Sequence, residues 1–230
     1  MNRCRALVST QARNFAAAGY ACTLIDFYGT GDSQGQLRDA SLSIWRDNIR
    51  ETIGTLQREA AAPLILWGLR LGGLMALDYA AQSAMRPQDI VLWQPVSAAK
   101  VYVTQVLRQR VASLMVRDLP PETTREIRQR LEEGEDVEIS GYTVGGSLIR
   151  DIEGIDLARM GGLCSGSIHW LEHVTEVGKE IGVTSSKAIE QLGQQGNRVA
   201  VHTFSDPPIW LIHERDYAPQ LLAITGSVLP

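Results

Sequence analysis

Apolar positions recur along this chain in two rhythms, one of helices and one of buried strands. From Cys4 to Ala18, the residues Ala6, Leu7, Ala12, Phe15 and Ala16 return at helical spacing, and Gly19 supplies a stop that tolerates a left-handed turn. The run Ala21 to Phe27 is then short, apolar and rich in strand formers, so it predicts a buried strand, followed by the glycine-rich loop 29–35. Trp45, Ile49, Ile53 and Leu56 share one face of a helix expected over 44–59, and Leu64 to Trp67 reads as a second buried strand. A helix over 74–82 follows a tight turn, and Asp89 to Val96 reads as a third strand ending near a proline. Strands at 166–171 and 198–204 and helices at 185–192 and 217–228 continue the alternation. Strands separated by helices require crossover connections, which predicts an α/β fold with a mostly parallel sheet and helices on both faces.

The segment 97–160 interrupts this rhythm. It holds a basic amphipathic helix over 101–117, Pro120 and Pro121, a charged helix over 122–133 and a glycine-bearing stretch over 139–148. The expectation is one domain spanning 1–230, with 97–160 inserted as a cap where loops carry function. There is no internal repeat and no low-complexity segment.

Composition narrows the function. The 230 residues, 44% hydrophobic, suffice for a proper core. The formal charge of −4, from 22 basic and 26 acidic residues without a single-sign block, argues against nucleic-acid partners and against a polybasic membrane patch. No run approaches the roughly 20 apolar residues of a membrane helix, so no stable membrane insertion is expected and the cytoplasm is the expected location. Cys4, Cys22 and Cys164 are too scattered for a metal or redox pair and read as reduced thiols. No cofactor and no metal site is expected.

The candidate chemistry centres on Gly68-Leu69-Arg70-Leu71-Gly72, lying between a strand and a helix. This is the context of the G-x-S-x-G turn that carries the nucleophile of α/β-hydrolases, where sharp bending demands glycine. Here the central residue is Arg70, a permanent cation without a lone pair for attack on a carbonyl. Arg70 can bind a carboxylate or phosphate with its planar fork of donors, or pair structurally with an acid such as Asp26; the sequence leaves both open. Gly31-Asp32-Ser33-Gln34-Gly35 matches the nucleophile motif by letter and makes Ser33 a candidate, although Tyr28, Gly29 and Thr30 separate the motif from the preceding strand. Glu172 stands where the fold normally supplies its acid, His202 and His213 are candidate bases, and Trp210, after Pro207 and Pro208, is a candidate pocket wall. His169 and His173 flank Glu172 without the spacing of a zinc pair.

The stretches ALVSTQARNFAAAGY, TLIDFYGTGDSQG, LILWGLRLGGLMALD and IVLWQPV resemble the exosortase A system-associated hydrolases of the second type, most clearly from Gln11 to Val96. The resemblance implies an α/β-hydrolase-like protein of exopolysaccharide and exosortase systems, with an arginine-bearing elbow as a group feature. It implies an ester or acyl hydrolase acting on a small-molecule, carbohydrate or lipid-linked substrate. The alternative is a catalytically inactive hydrolase-like scaffold that binds an anionic ligand. It also implies strands and an oxyanion-hole loop ahead of the first helix, whereas this chain opens at or inside that helix. The expectation is therefore a bare sheet edge, through which an oligomer could form.

Overall fold

The computed structural model describes residues 2–176, 178–210 and 217–229. The chain divides into two compact units, one of residues 1–24, 53–97 and 157–230, the other of residues 25–52 and 98–156.

The first unit is built on four parallel strands, β1 (Ile65–Leu69), β2 (Asp89–Trp93), β5 (Ile168–His173) and β6 (Val199–Phe204), in the spatial order β1-β2-β5-β6. Every residue of β2 is buried, as expected for a strand with a neighbour on each edge and helices on each face. Strand alternation divides the core. Val91, Trp93, Leu171 and Phe204 pack on one face with Leu7 of α1 (Asn2–Ala17) and Leu221 of α8 (Pro219–Val228), whereas the alternate residues Ile90, Leu92, Ile168 and Trp170, fully buried, take the other. An aromatic ladder crosses the first face, Phe15 to Trp67 at 5.2 Å and Trp67 to Trp93 at 4.8 Å, both edge-on. It ends in a hydrogen bond of 2.8 Å from Trp93 Nε1 to Thr225 Oγ1. The crossovers include α3 (Leu71–Gln82) between β1 and β2 and α7 (Val183–Gln194) between β5 and β6.

The second unit contains α4 (Ala99–Val116), α5 (Thr124–Glu132), the antiparallel pair β3 (Val137–Ile139) and β4 (Tyr142–Val144), and α6 (Gly146–Glu153). The helix α2 (Leu42–Glu59) begins in this unit and ends in the first. Thr123 caps α5 in a reciprocal box with Glu126, and Ile127, Leu131, Val137 and Ile139 form the buried side of the unit. Arg110 and Arg130 both pair with Glu122. The β3–β4 hairpin, Val137–Val144, overlaps the stretch 139–148, expected only as glycine-bearing. Ser140 and Gly141 both adopt positive φ, as a two-residue turn between twisted strands requires.

One expected strand is absent. Ala21 to Phe27 runs without ladder pairing, and Leu24 is 43% exposed. Its residues favour strands, but a strand exists only where a neighbour accepts its hydrogen bonds, and no described strand lies against it. No described helix is long and apolar enough to cross a membrane.

Candidate functional site

β1 ends at Leu69 and α3 begins at Leu71, so the whole reversal falls on Arg70, at φ 53° and ψ −117°. A non-glycine residue in this region costs about 1–3 kcal/mol and persists only when its surroundings enforce it. They do so here. The Arg70 amide donates to the Trp93 carbonyl at 3.0 Å, and the Arg70 carbonyl accepts from Gly73, Leu74 and Val96 at 3.0, 3.3 and 3.2 Å. At Gly68 a β-carbon would stand 2.3 Å from the Gly72 carbonyl oxygen, so strand and helix can approach only through glycine. Gly72 differs from expectation, since a β-carbon there would meet nothing within 4 Å. The neighbouring Gly73 makes the close contact, 3.0 Å to the Pro95 side chain. Leu69 closes the strand and Leu71 opens the helix, both half-buried.

The Arg70 guanidinium donates from Nη1 to the Gln94 carbonyl at 3.1 Å, and its Cζ lies 5.7 Å from the centre of the Trp210 ring. Trp210 also meets His173 edge-on at 5.9 Å, and His173 meets Phe204 at 5.7 Å. The turn that carries Trp210 is fixed by Asp206, whose carboxylate accepts from the first turn of α8 at Leu221 N, 2.8 Å. Arg70, Gln94, His173 and Trp210 thus gather beyond the carboxyl ends of the parallel strands, where open α/β sheets bind ligands.

Glu172, the expected acid, lies inside β5 and is 4% exposed. Three donors occupy its carboxylate. Gln94 Nε2 at 2.9 Å and Ser185 Oγ at 2.8 Å reach Oε1, and Trp170 Nε1 at 2.8 Å reaches Oε2. Gln94, itself at φ 41°, also accepts from the His173 amide at 2.6 Å. The carboxylate ties the ends of β2 and β5 to the first turn of α7, and no histidine is among its described partners.

His202 cannot complete a triad with it. In the β5–β6 register His202 stands opposite Leu171 and shares its face, while Glu172, one residue on, points to the other. His202 Nε2 instead lies 3.4 Å from His169 Nδ1, and His169 Nε2 lies 3.8 Å from Asp89 Oδ1. His213 falls outside the described residues. Ser33 and Asp26 belong to the second unit, Asp26 near the end of the unpaired run and Ser33 in the turn after it. Asp26 accepts from the Asp32 amide at 3.2 Å, and a β-carbon on Gly31, at φ 55°, would collide with that carboxylate. The Ser33 hydroxyl has no hydrogen-bond partner among the described residues, so nothing there activates it. Among the described residues no group of three or more His, Cys, Asp or Glu could hold a metal ion.

Burial lowers the pKa of both His169 and His202; Asp89 partly offsets this at His169, and the charge of His169 adds to it at His202. A folded-state pKa below the unfolded one means that the unfolded chain binds more protons. This part of the stability is complete above the ordinary histidine value of about 6.5 and is lost as pH falls through the folded values. Urea midpoints should therefore drop between about pH 7.5 and about pH 5.5, and His202→Gln should reduce that drop. Cys164 is pushed up to about 11, by burial first and then by Asp89, which keeps its thiol protonated.

Gln94, Trp170, His173 and Ser185 were not singled out from the sequence as a constellation. The one local signal was Gln94 itself, a polar residue before proline at the end of a buried strand.

A parallel sheet with an elbow between strand and helix defines an α/β-hydrolase-like fold. The chain belongs to the serine aminopeptidase (S33) hydrolase family, which matches residues 4–188. It is similar to the mitochondrial palmitoyl-protein thioesterase ABHD10 of Pongo abelii, with 35% identity over 88 residues. That match spans 38% of this chain and only 27% of the relative. Among solved structures, Est1E from Butyrivibrio proteoclasticus, with ferulic acid bound, superposes with a TM-score of 0.64 at 14% identity, covering 96% of this chain and 79% of the other. One structure from work on the metagenome-derived lipolytic enzymes LipS and LipT gives 0.60 at 16% identity, covering 96% and 86%. The monoacylglycerol lipase of Paleococcus ferrophilus gives 0.55 at 15%, covering 95% and 86%. At these identities the likeness concerns the fold.

Proposed function

We propose that this chain is a hydrolase-fold protein that uses its elbow to bind an anionic ligand, a carboxylate or phosphate, instead of attacking an ester. The observation that carries this reading is the elbow itself, where the strained position of the nucleophile holds Arg70, a guanidinium stacked beside Trp210. The saturation of Glu172 by Gln94, Trp170 and Ser185 supports it, because among the described residues that acid has no histidine to orient. The resemblance to the exosortase-associated proteins favours an acidic saccharide or lipid-linked precursor of an exopolysaccharide as the ligand, with 97–160 acting as the cap.

Calorimetric titration with glucuronate and with inorganic phosphate, against neutral glucose, tests this. Saturable binding of one of the anions is expected, and Arg70→Gln should weaken it about 10- to 100-fold, the worth of one or two charge-assisted hydrogen bonds. No binding of either anion, or an unchanged Arg70→Gln variant, would count against it.

The second reading, ester or acyl hydrolysis with a nucleophile outside the elbow, draws on the names of the thioesterase and esterase relatives. It requires fluorophosphonate labelling of a serine such as Ser33, together with turnover of short p-nitrophenyl esters. On the binding reading neither occurs. Nor should Arg70→Ser restore turnover, because a serine without a base stays weakly nucleophilic. Esterase activity in that variant would show that a histidine reaches the elbow.

A further inference from the structure

We infer that His173 is the second ligand-binding side chain of the Arg70 site, taking a hydroxyl of the ligand, so that the site selects a hydroxylated carboxylic acid over a bare anion. This rests on the anion-binding reading of Arg70 and adds to it. His173 closes β5 in register with Phe204 of β6 and shares its face with Leu171. Both neighbours are apolar and buried, Leu171 at 0% and Phe204 at 1% exposure. A residue kept for packing alone would be apolar there as well. Instead an imidazole brings two polar nitrogens to the end of an apolar face, half-buried and within reach of a ligand.

The frame that holds Arg70 also holds His173. Gln94 accepts from the Arg70 guanidinium through its carbonyl at 3.1 Å and from the His173 amide through Oε1 at 2.6 Å, so one residue fixes the places of both. Trp210 adjoins both. Its ring centre lies 5.7 Å from Arg70 Cζ and 5.9 Å from the centre of the His173 ring, so no more than these two distances together separates guanidinium from imidazole. A six-membered ring with a hydrogen bond at each end spans such a gap. The other described histidines are engaged elsewhere, His202 Nε2 with His169 Nδ1 at 3.4 Å and His169 Nε2 beside Asp89. No described residue hydrogen-bonds a ring nitrogen of His173.

A hydroxyl suits this group better than a second anion. A neutral imidazole has one donor and one acceptor nitrogen, and a hydroxyl meets either, whichever tautomer is present, whereas an anion can use only the donor. Arg70, with its planar fork of donors, takes the carboxylate. Trp210, half-buried, gives the ring of the ligand an apolar wall between the two polar contacts.

Calorimetric titration of the full chain compares glucuronate with cyclohexanecarboxylate, which carries the same carboxylate on a six-membered ring without hydroxyls. His173→Phe keeps an aromatic ring against Phe204 and Trp210 but removes both nitrogens. It should weaken glucuronate about tenfold, the worth of one hydrogen bond at the upper end of its range, and leave cyclohexanecarboxylate within about twofold of the wild type. His173→Gln, with a donor and an acceptor of its own, should recover part of the loss. Arg70→Gln should weaken both ligands. A His173→Phe variant that binds glucuronate as the wild type does would overturn the inference, and so would one that loses both ligands alike, the mark of a packing residue. Binding of inorganic phosphate or cyclohexanecarboxylate with none of glucuronate would leave the Arg70 reading standing and sink this one. No anion bound at all would remove both.

Discussion

Replacing Glu172 by alanine should lower the stability of the protein by about 3–5 kcal/mol, measured by urea unfolding at neutral pH. The carboxylate is buried and accepts from Gln94, Ser185 and Trp170, so its removal strands three donors, of which Trp170 and Ser185 are themselves buried. Glu172→Gln should cost less, about 1–3 kcal/mol, because the amide oxygen can still serve Gln94 and Ser185 while its NH2 group confronts the Trp170 N–H. A catalytic acid would behave differently. Wild-type stability in Glu172→Ala together with loss of ester turnover would assign the residue to chemistry and undo the structural reading.

The position of Glu172 bears on Arg70 as well. Gln94 is held by the Glu172 carboxylate through its side chain, and it receives Arg70 through its own main-chain carbonyl. Gln94 sits at positive φ and Arg70 beside it at positive φ, so two strained residues at the ends of β1 and β2 share one hydrogen-bonded frame. The frame is part-buried, and a hydrogen-bonded network is stiffer the more of its members are satisfied. The guanidinium of Arg70 is thus held by a main-chain carbonyl of that frame.

The helices α1, α2 and α4 and the strands β1, β2, β5 and β6 were legible because each depends on local pattern. A short apolar run bounded by glycine, proline or charge reads as a buried strand, and a 3.6-residue stripe reads as a helix. Ala21 to Phe27 has the same local pattern as β1, yet it forms no strand, since pairing depends on a neighbour that the pattern cannot report. The β3–β4 hairpin failed in the opposite way. Its strands are three residues each, too short for alternation to register, and only Ser140-Gly141 marked the turn. In the site, Arg70 was legible because the glycines fixed its place between strand and helix. The partners of Glu172 were not, since Gln94 and Ser185 come from distant segments that only the sheet order brings together. That His202 and Glu172 lie on opposite faces was not legible either, because a face, unlike a position in sequence, requires the register of β6 against β5.

The elbow itself makes the other large prediction. Gly68→Ala should destabilise the protein by about 3 kcal/mol or more, because the added carbon would sit 2.3–2.5 Å from main-chain atoms of Gly72 and Gly73. Those atoms belong to the start of α3, which is held by Arg70 and packs on the sheet, so relief requires the helix to move away from β1. Gly72→Ala is the control. Its β-carbon would meet nothing, and alanine favours the helix over glycine, so roughly 0.4–1 kcal/mol of stabilisation is expected. The motif G-x-x-x-G treats its two glycines alike, whereas the bend crowds one and leaves the other open. Thermal and urea midpoints of the two variants, measured side by side, decide the matter: equal effects would mean that residues 68–72 do not form the cramped junction on which the placement of Arg70 rests.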